Sequence, residues 1–301
     1  MAESAPADGR GGIDAELVRR LVAGQFPQWR DLPITPVRAD GWDNRTYHLG
    51  DDMSVRLPCD AAHAVAKEQR WLPILAPHLP LPVPVLLGTG TPTAAYPHYW
   101  SVYRWLDGER AGADRIDDLD AFALMLAGFL TTLRGVDATG GPAPGPHNFH
   151  RGGPLALYDA GTREAIATLG DRIDGDAATE VWETALASRW DRPPVWFHGD
   201  VAVGNLLVKA GRLAAIIDFG TCGVGDPACD LAITWTFFTG PARESFRAAI
   251  DLDAATWDRG RGWTLWKALI GLAAQIDTEP DTAAESRRVL EAVLADHKRS
   301  L

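Results

Sequence analysis

No stretch of this chain reaches the roughly 18 consecutive apolar residues that a membrane helix needs, and its start, Met1 to Gly12, is small and polar, unlike a secretory leader. Cysteine is scarce. Cys59, Cys222 and Cys229 form no Cys-x-x-Cys pair, and their odd number argues against a secreted disulfide framework, so a cytoplasmic protein is expected. Basic residues are also in deficit, 29 against 40 acidic ones, for a net charge of −11. That balance disfavours nucleic acid, which is bound mainly through Lys and Arg, and favours a cationic partner where charge matters. A Gly-x-Gly-x-x-Gly phosphate loop is missing too. His147 and His150 have a spacing that could suit a metal, but no third ligand lies near, and ordinary loop histidines are the simpler reading.

What is present concentrates between residues 195 and 232. Val195-Trp-Phe reads as a short strand after Pro193-Pro194, which puts Asp200 of His198-Gly-Asp200 in the following loop. Leu206 to Val208, a turn at Lys209-Ala-Gly-Arg212, and Leu213 to Ile217 read as a hairpin that returns Asp218 to the end carrying Asn205. Asp218-Phe219-Gly220 and Asp226-Pro227-(two residues)-Asp230-Leu-Ala232 follow. Phosphoryl transfer from a nucleotide needs a carboxylate near the attacking hydroxyl and oxygen ligands for Mg²⁺, and Asp200, Asn205 and Asp218 can supply them. Asp226 alone reads more simply as a helix start.

The flanks divide in character. Ile13 to Gly24 has helical apolar spacing. Ile34 to Ala39, Arg45 to Leu49, Met53 to Leu57, Val83 to Leu87 and Tyr99 to Trp105 read as strands, and Ala61 to Leu75 as a helix ended by a proline-rich run from Pro73. From Asp117 the pattern is helical, over Leu119 to Leu133, Arg163 to Leu169, Ala177 to Trp190, Asp230 through Phe238, Arg243 to Ile250, Ala254 to Ile276 and Thr282 to Lys298. Nothing in the sequence orders the glycine- and proline-rich loop from Gly135 to His150. Trp235, Trp263 and Trp266 could line a pocket for a sugar or macrocycle, although core packing is simpler for each. Asp251, Asp253, Asp258, Asp277 and Glu279 are candidate ammonium-binding groups, with a solvated acidic surface as the plainer account.

The order His198-Gly-Asp200, Asn205, Asp218-Phe219-Gly220, Asp226-Pro227 and Asp230 resembles the protein-kinase template, with Gly199 where that template has Arg, and is similar to the aminoglycoside phosphotransferase family of kinase-like enzymes. The resemblance implies an α+β, two-lobed protein-kinase-like fold. It would have a disordered start over 1–12, a nucleotide-binding lobe with an antiparallel sheet and a helix over 13–106, and a larger, mainly helical catalytic and acceptor-binding lobe over 107–301. It makes Asp200 the general base or hydroxyl-orienting group, Asn205 and Asp218 the Mg²⁺ ligands, and Asp230 a brace for the catalytic loop. Gly41-Trp42-Asp43-Asn44 falls where the phosphate-covering loop would lie. Arg56 stands where the wider pattern has a phosphate-pairing lysine, with Glu68 as its expected partner. The backbone of Arg104 and Leu106 would meet the adenine. The implied activity moves the γ-phosphate of ATP or GTP to a hydroxyl of a small molecule, an aminoglycoside or other antibiotic first. Kinases of choline, homoserine or sugars share the architecture, and a nucleotide-binding pseudokinase is the rival from another class. With only five residues, Thr221 to Gly225, between the Asp-Phe-Gly and Asp-Pro motifs, no phosphorylated activation loop is expected.

Overall fold

A computed structural model describes residues 12–37, 44–59 and 63–300. The chain gathers into two compact units, one made of the residues up to Gly108 with Ala215–Gly220, the other of Glu109–Ala214 and the residues from Thr221 onward. The expected disordered start, apart from Gly12, lies outside the described residues, as do Gly41, Trp42 and Asp43 of the expected phosphate loop.

In the first unit Asp14 caps helix α1 (Ala15–Gln25) by accepting from the Leu17 amide at 2.7 Å, and the helix buries Leu17, Val18, Leu21 and Val22. Strands β1 (Ile34–Pro36), β2 (Asn44–Leu49) and β3 (Met53–Pro58), helix α2 (His63–Leu75), and strands β4 (Leu86–Gly90) and β5 (Trp100–Arg104) complete it. The sheet is antiparallel throughout, in the order β1-β2-β3-β5-β4. Along β3, Val55 and Leu57 are fully buried, and strand alternation turns Arg56 to the opposite face. On α2, Glu68 shares a face with buried Leu72 and Leu75. Two expectations shift. Pro73 sits inside α2, which loses one backbone bond there but continues to Leu75. Strand β4 starts at Leu86 instead of Val83, since Pro82 and Pro84 have no N–H to give a ladder.

The second unit is mainly helical, with short sheets. It runs through β6 (Glu109–Arg110), α3 (Leu119–Gly135), α4 (Asp159–Leu169), α5 (Gly175–Leu186), β7 (Val195–Phe197), β8 (Leu206–Lys209), the first three residues of β9 (Arg212–Ile216), β10 (Gly223–Gly225), α6 (Ile233–Thr236), α7 (Gly240–Ile250), α8 (Ala254–Gln275) and α9 (Pro280–Ser300). Helix α8 packs against α4, α5 and α9, and α3 against α7 and β7. Asp118, Asp174 and Asp253 cap α3, α5 and α8 through their carboxylates. The expected helix to Trp190 ends at Leu186, and the Trp190 indole donates to the Pro193 carbonyl at 3.0 Å. The expected helix through Phe238 is a 3₁₀ stretch, Pro227–Ala232, followed by the short α6. Arg243 closes this segment by donating to the carbonyls of Thr234 at 2.9 Å and Phe238 at 2.8 Å. Among the described residues no helix is long and apolar enough to cross a membrane.

Candidate active site

The first unit gathers three of the singled-out polar groups, Asn44, Glu68 and Asp218, around the Arg56 guanidinium. Arg56 Nη1 lies 3.4 Å from Glu68 Oε1, and Arg56 Nη2 donates to Asp218 Oδ1 at 2.9 Å. The Asn44 amide is satisfied with its oxygen turned to Arg56, accepting from Nη2 at 3.0 Å and Nε at 3.2 Å. Burial alone would lower the Arg56 pKa, but Asp218 and Glu68 outweigh it and hold the guanidinium above its ordinary value. Burial raises Glu68 against the pull of Arg56, and the Tyr103 hydroxyl donates to its Oε2 at 3.3 Å. These contacts give arginine a purpose at this position. A planar fork reaches two carboxylates with separate nitrogens, which a lysine's single point of charge does not reproduce. Asp218 itself has φ +66°, an uncommon backbone state for a non-glycine residue and one that clusters at functional sites.

Arg104 and Leu106 are also in this unit. The Arg104 N–H is already given to Val85 O at 2.9 Å, and the next amide, Trp105, to Asp52 O at 2.7 Å. Leu106, two residues past the strand position of Arg104, is half-buried.

In the second unit, β7 delivers the chain into His198-Gly199-Asp200. Fully buried Asp230 accepts from the amides of His198 at 2.8 Å and Gly199 at 2.7 Å, so one carboxylate holds both residues that precede Asp200. Burial raises the Asp230 carboxyl, while His198 and the two amides pull against that rise. Gly199 has φ +87°, and a Cβ there would come within 2.7 Å of the Thr221 carbonyl. Neither the backbone nor the space admits a side chain where the kinase template has Arg. Asn205 Nδ2 donates to Asp200 O and to Asp200 Oδ2, each at 2.9 Å, leaving the Asn205 amide oxygen for another partner. The Asp200 side chain keeps 31% of its surface exposed, so a substrate hydroxyl can reach it. Asp226 caps the 3₁₀ stretch through the Ala228 amide and pairs with buried Arg259 at 2.6 Å. Residues 223–225 are strand β10, paired antiparallel with β7.

The loop after α3, for which the sequence offered no ordering, is held by bonds to its backbone carbonyls. The Trp196 indole donates to Asp137 O, Val224 N to Pro142 O and Asp226 N to Gly152 O, each at 2.9 Å. A Cβ on Gly152 would come within 2.1 Å of the Phe197 ring, which is why the loop can lie so close to β7. It brings in a residue that the sequence reading missed, Arg151, whose Nη2 is 3.9 Å from Asp200 Oδ1. Lys267 of α8, also missed, places Nζ 3.5 Å from the same oxygen. No short motif surrounds either residue. His147 Nε2 faces the Ala143 carbonyl at 2.9 Å. Of the three tryptophans considered for a pocket, Trp235 is fully buried against Trp257, whereas Trp263 and half-buried Trp266 join Tyr158 in a ring cluster.

A model of the phosphotransferase enzyme family matches residues 34–263. An aminoglycoside 3'-phosphotransferase from Escherichia coli is 36% identical over 84 residues, a match that spans 26% of this chain and 31% of that protein's length. Among solved structures, the GDP complex of wild-type aminoglycoside 2'-phosphotransferase-IIIa aligns with a TM-score of 0.70 at 18% identity, covering 95% of this chain and 100% of that one. The macrolide 2'-phosphotransferase MphH from Brachybacterium faecium aligns with a TM-score of 0.59 at 23% identity, covering 92% and 97%. At these identities the structural likeness concerns the fold.

Proposed function

The chain belongs to the phosphotransferase enzyme family, and we propose that it transfers the γ-phosphate of ATP or GTP, with Mg²⁺, to a hydroxyl of a small molecule, an antibiotic being the first choice. The observation that carries this reading is the Asp200–Asn205 pair, an accessible carboxylate with one oxygen fixed by an amide 2.9 Å away. Asp200 orients the acceptor hydroxyl and takes its proton as the bond to phosphorus forms. Asp230 positions it by gripping His198 and Gly199.

Asn205 and Asp218 are the proposed Mg²⁺ ligands. An amide oxygen and a carboxylate are hard donors that suit this ion. The fit follows from the hydrogen bonds, since the Asn205 nitrogen is turned to Asp200 and its oxygen remains for a cation. Among the described residues no group of three or more His, Cys, Asp or Glu could hold a metal by itself. Mg²⁺ is usually bound by one or two carboxylates together with substrate phosphates and water. When bound, the ion offsets charge on the phosphates. Arg56, bridging Glu68 and Asp218, keeps the Asp218 carboxylate in place, and Asn44, Arg104 and Leu106 complete the nucleotide side. A pseudokinase would be expected to have lost some of Asp200, Asn205 and Asp218, and all are present. With β10 filling the space between the two motifs, the enzyme is competent without phosphorylation, and a cytosolic setting supplies its nucleotide.

Asp218→Ala tests the metal assignment. Titration of the variant with ATP or GTP should show that Mg²⁺ no longer strengthens binding, whereas an unaltered Mg²⁺ effect would overturn the assignment.

A further inference from the structure

We propose that the acceptor docks on an aromatic and cationic wall beside Asp200, and that it is a bulky molecule with a broad apolar face and at most one ammonium group, unlike a polyamine sugar. This inference rests on the phosphotransfer reading given above and names the substrate class of that site.

The wall is built from two segments of the second unit. On α8, Trp263, Trp266 and Lys267 stand at i, i+3 and i+4 and share one face. Tyr158 lies against both indoles, with ring centres 5.2 Å from Trp263 and 4.1 Å from Trp266, and the indoles are 4.9 Å from each other. The loop supplies Phe149 and Arg151. The Arg151 guanidinium lies over the Phe149 ring at 5.3 Å and the Trp263 ring at 5.8 Å, which ties the loop to the helix. Its Nε is buried without a hydrogen-bond partner, although the side chain is nearly enclosed. Phe149 is 63% exposed, unusual for so large an apolar side chain. Phe149 and His150 both have positive φ, 54° and 60°, and the Tyr158 hydroxyl fixes the turn by donating to Phe149 O at 2.6 Å. Two adjacent non-glycine residues in this state store strain.

Charge decides between acceptor classes. Arg151 and Lys267 both approach Asp200 Oδ1, so the space at the reacting hydroxyl is lined with cations and repels a dense cluster of ammonium groups. Of the five candidate ammonium-binding carboxylates on the C-terminal segment, three are paired with cations. Asp253 caps α8 and pairs with Arg192, Asp258 pairs with Arg261, and Asp277 pairs with Arg172. Offset ring faces instead suit the apolar surface of a macrocyclic glycoside.

The test is calorimetric titration of the Mg²⁺-nucleotide-loaded protein with erythromycin, a macrolide, and with kanamycin, a polyamine sugar, alongside assays of nucleotide consumption with each. Erythromycin should bind at least tenfold more tightly than kanamycin, and Trp266→Ala should weaken it at least tenfold. Lys267→Glu, a change at an exposed side chain that leaves packing intact, should tighten kanamycin severalfold. Kanamycin binding as tightly as erythromycin, neither compound binding, or Trp266→Ala and Lys267→Glu both without effect would each overturn the inference. The two readings fail separately. Kanamycin-stimulated turnover without erythromycin binding refutes this inference and leaves phosphotransfer standing. Erythromycin binding weakened by Trp266→Ala, with no nucleotide consumed, supports the docking wall and counts against phosphotransfer.

Discussion

Replacing Asp230 should unfold the second unit more easily and, separately, slow the reaction. Its carboxylate takes two buried amide bonds, at 2.8 Å from His198 and 2.7 Å from Gly199. Bonds to a charged group contribute roughly 1.5–3 kcal/mol each, so the pair is worth about 3–6 kcal/mol. Burial raises this carboxyl's pKa, which offsets part of that gain and brings the expected loss for Asp230→Ala to about 3–4 kcal/mol. Asp230→Asn keeps one acceptor oxygen and turns an N–H₂ toward the other donor, for a loss of about 2 kcal/mol. In a unit of this size the alanine variant should melt roughly 6–15 °C lower. The gripped residues lead directly into Asp200, so a loosened loop should lower kcat by about 10²-fold in the asparagine variant, with nucleotide affinity kept within about twofold. Urea unfolding followed by fluorescence gives the stabilities, and coupled steady-state assays give kcat. An Asp230→Ala protein unfolding at the wild-type midpoint, or an Asp230→Asn protein with wild-type turnover, would refute the reasoning.

Other consequences are equally direct. Gly199→Ala pushes a Cβ within 2.7 Å of Thr221 O at a positive φ. The backbone cost alone is about 1–2 kcal/mol, and the forced shift of Asp200 should lower kcat by about 10²-fold, to be read by steady-state kinetics. A wild-type kcat would mean that the turn is looser than its geometry implies. Acid stability should depend on Asp296. Burial works to raise its carboxyl, but Arg261 at 2.9 Å and Arg247 at 3.4 Å outweigh burial and hold its pKa below the ordinary range. With the folded pKa depressed, its contribution is fully present above the unfolded value of roughly 3.9 and is lost as pH falls through the folded value. Asp296→Asn should therefore flatten the fall in stability below about pH 4 in denaturant titrations, and an acid limb as steep as wild type would contradict the sign.

Much of the fold was legible because side-chain periodicity carries it. Leu17, Val18 and Leu21 mark α1, and the alternation around Arg56 fixes which way β3 turns it. Asp200, Asn205 and Asp218 were legible because they recur at fixed intervals between apolar runs. The path of residues 136–153 was not, because backbone carbonyls such as those of Pro142 and Gly152 hold it, and a carbonyl has no sequence signature. Arg151 and Lys267 were missed for a related reason. Each reaches Asp200 from far along the chain, and a lone cation in a loop or on a helix reads as a solvated surface group. Beyond the early end of α5 the Trp190 indole meets the Pro193 carbonyl, and after the broken helix Arg243 meets the Phe238 carbonyl, contacts that helical spacing does not record. The hairpin strand β9 likewise gives no local sign that its last residues, Ala215 and Ile216, belong to another unit.

The most direct test of the central claim compares wild type with Asp200→Asn for consumption of ATP and GTP with Mg²⁺ across macrolides, aminoglycosides and small metabolite alcohols. The account predicts acceptor-dependent turnover in wild type that falls by roughly 10²- to 10⁴-fold in the variant while nucleotide affinity is kept. Turnover unchanged by Asp200→Asn would contradict it.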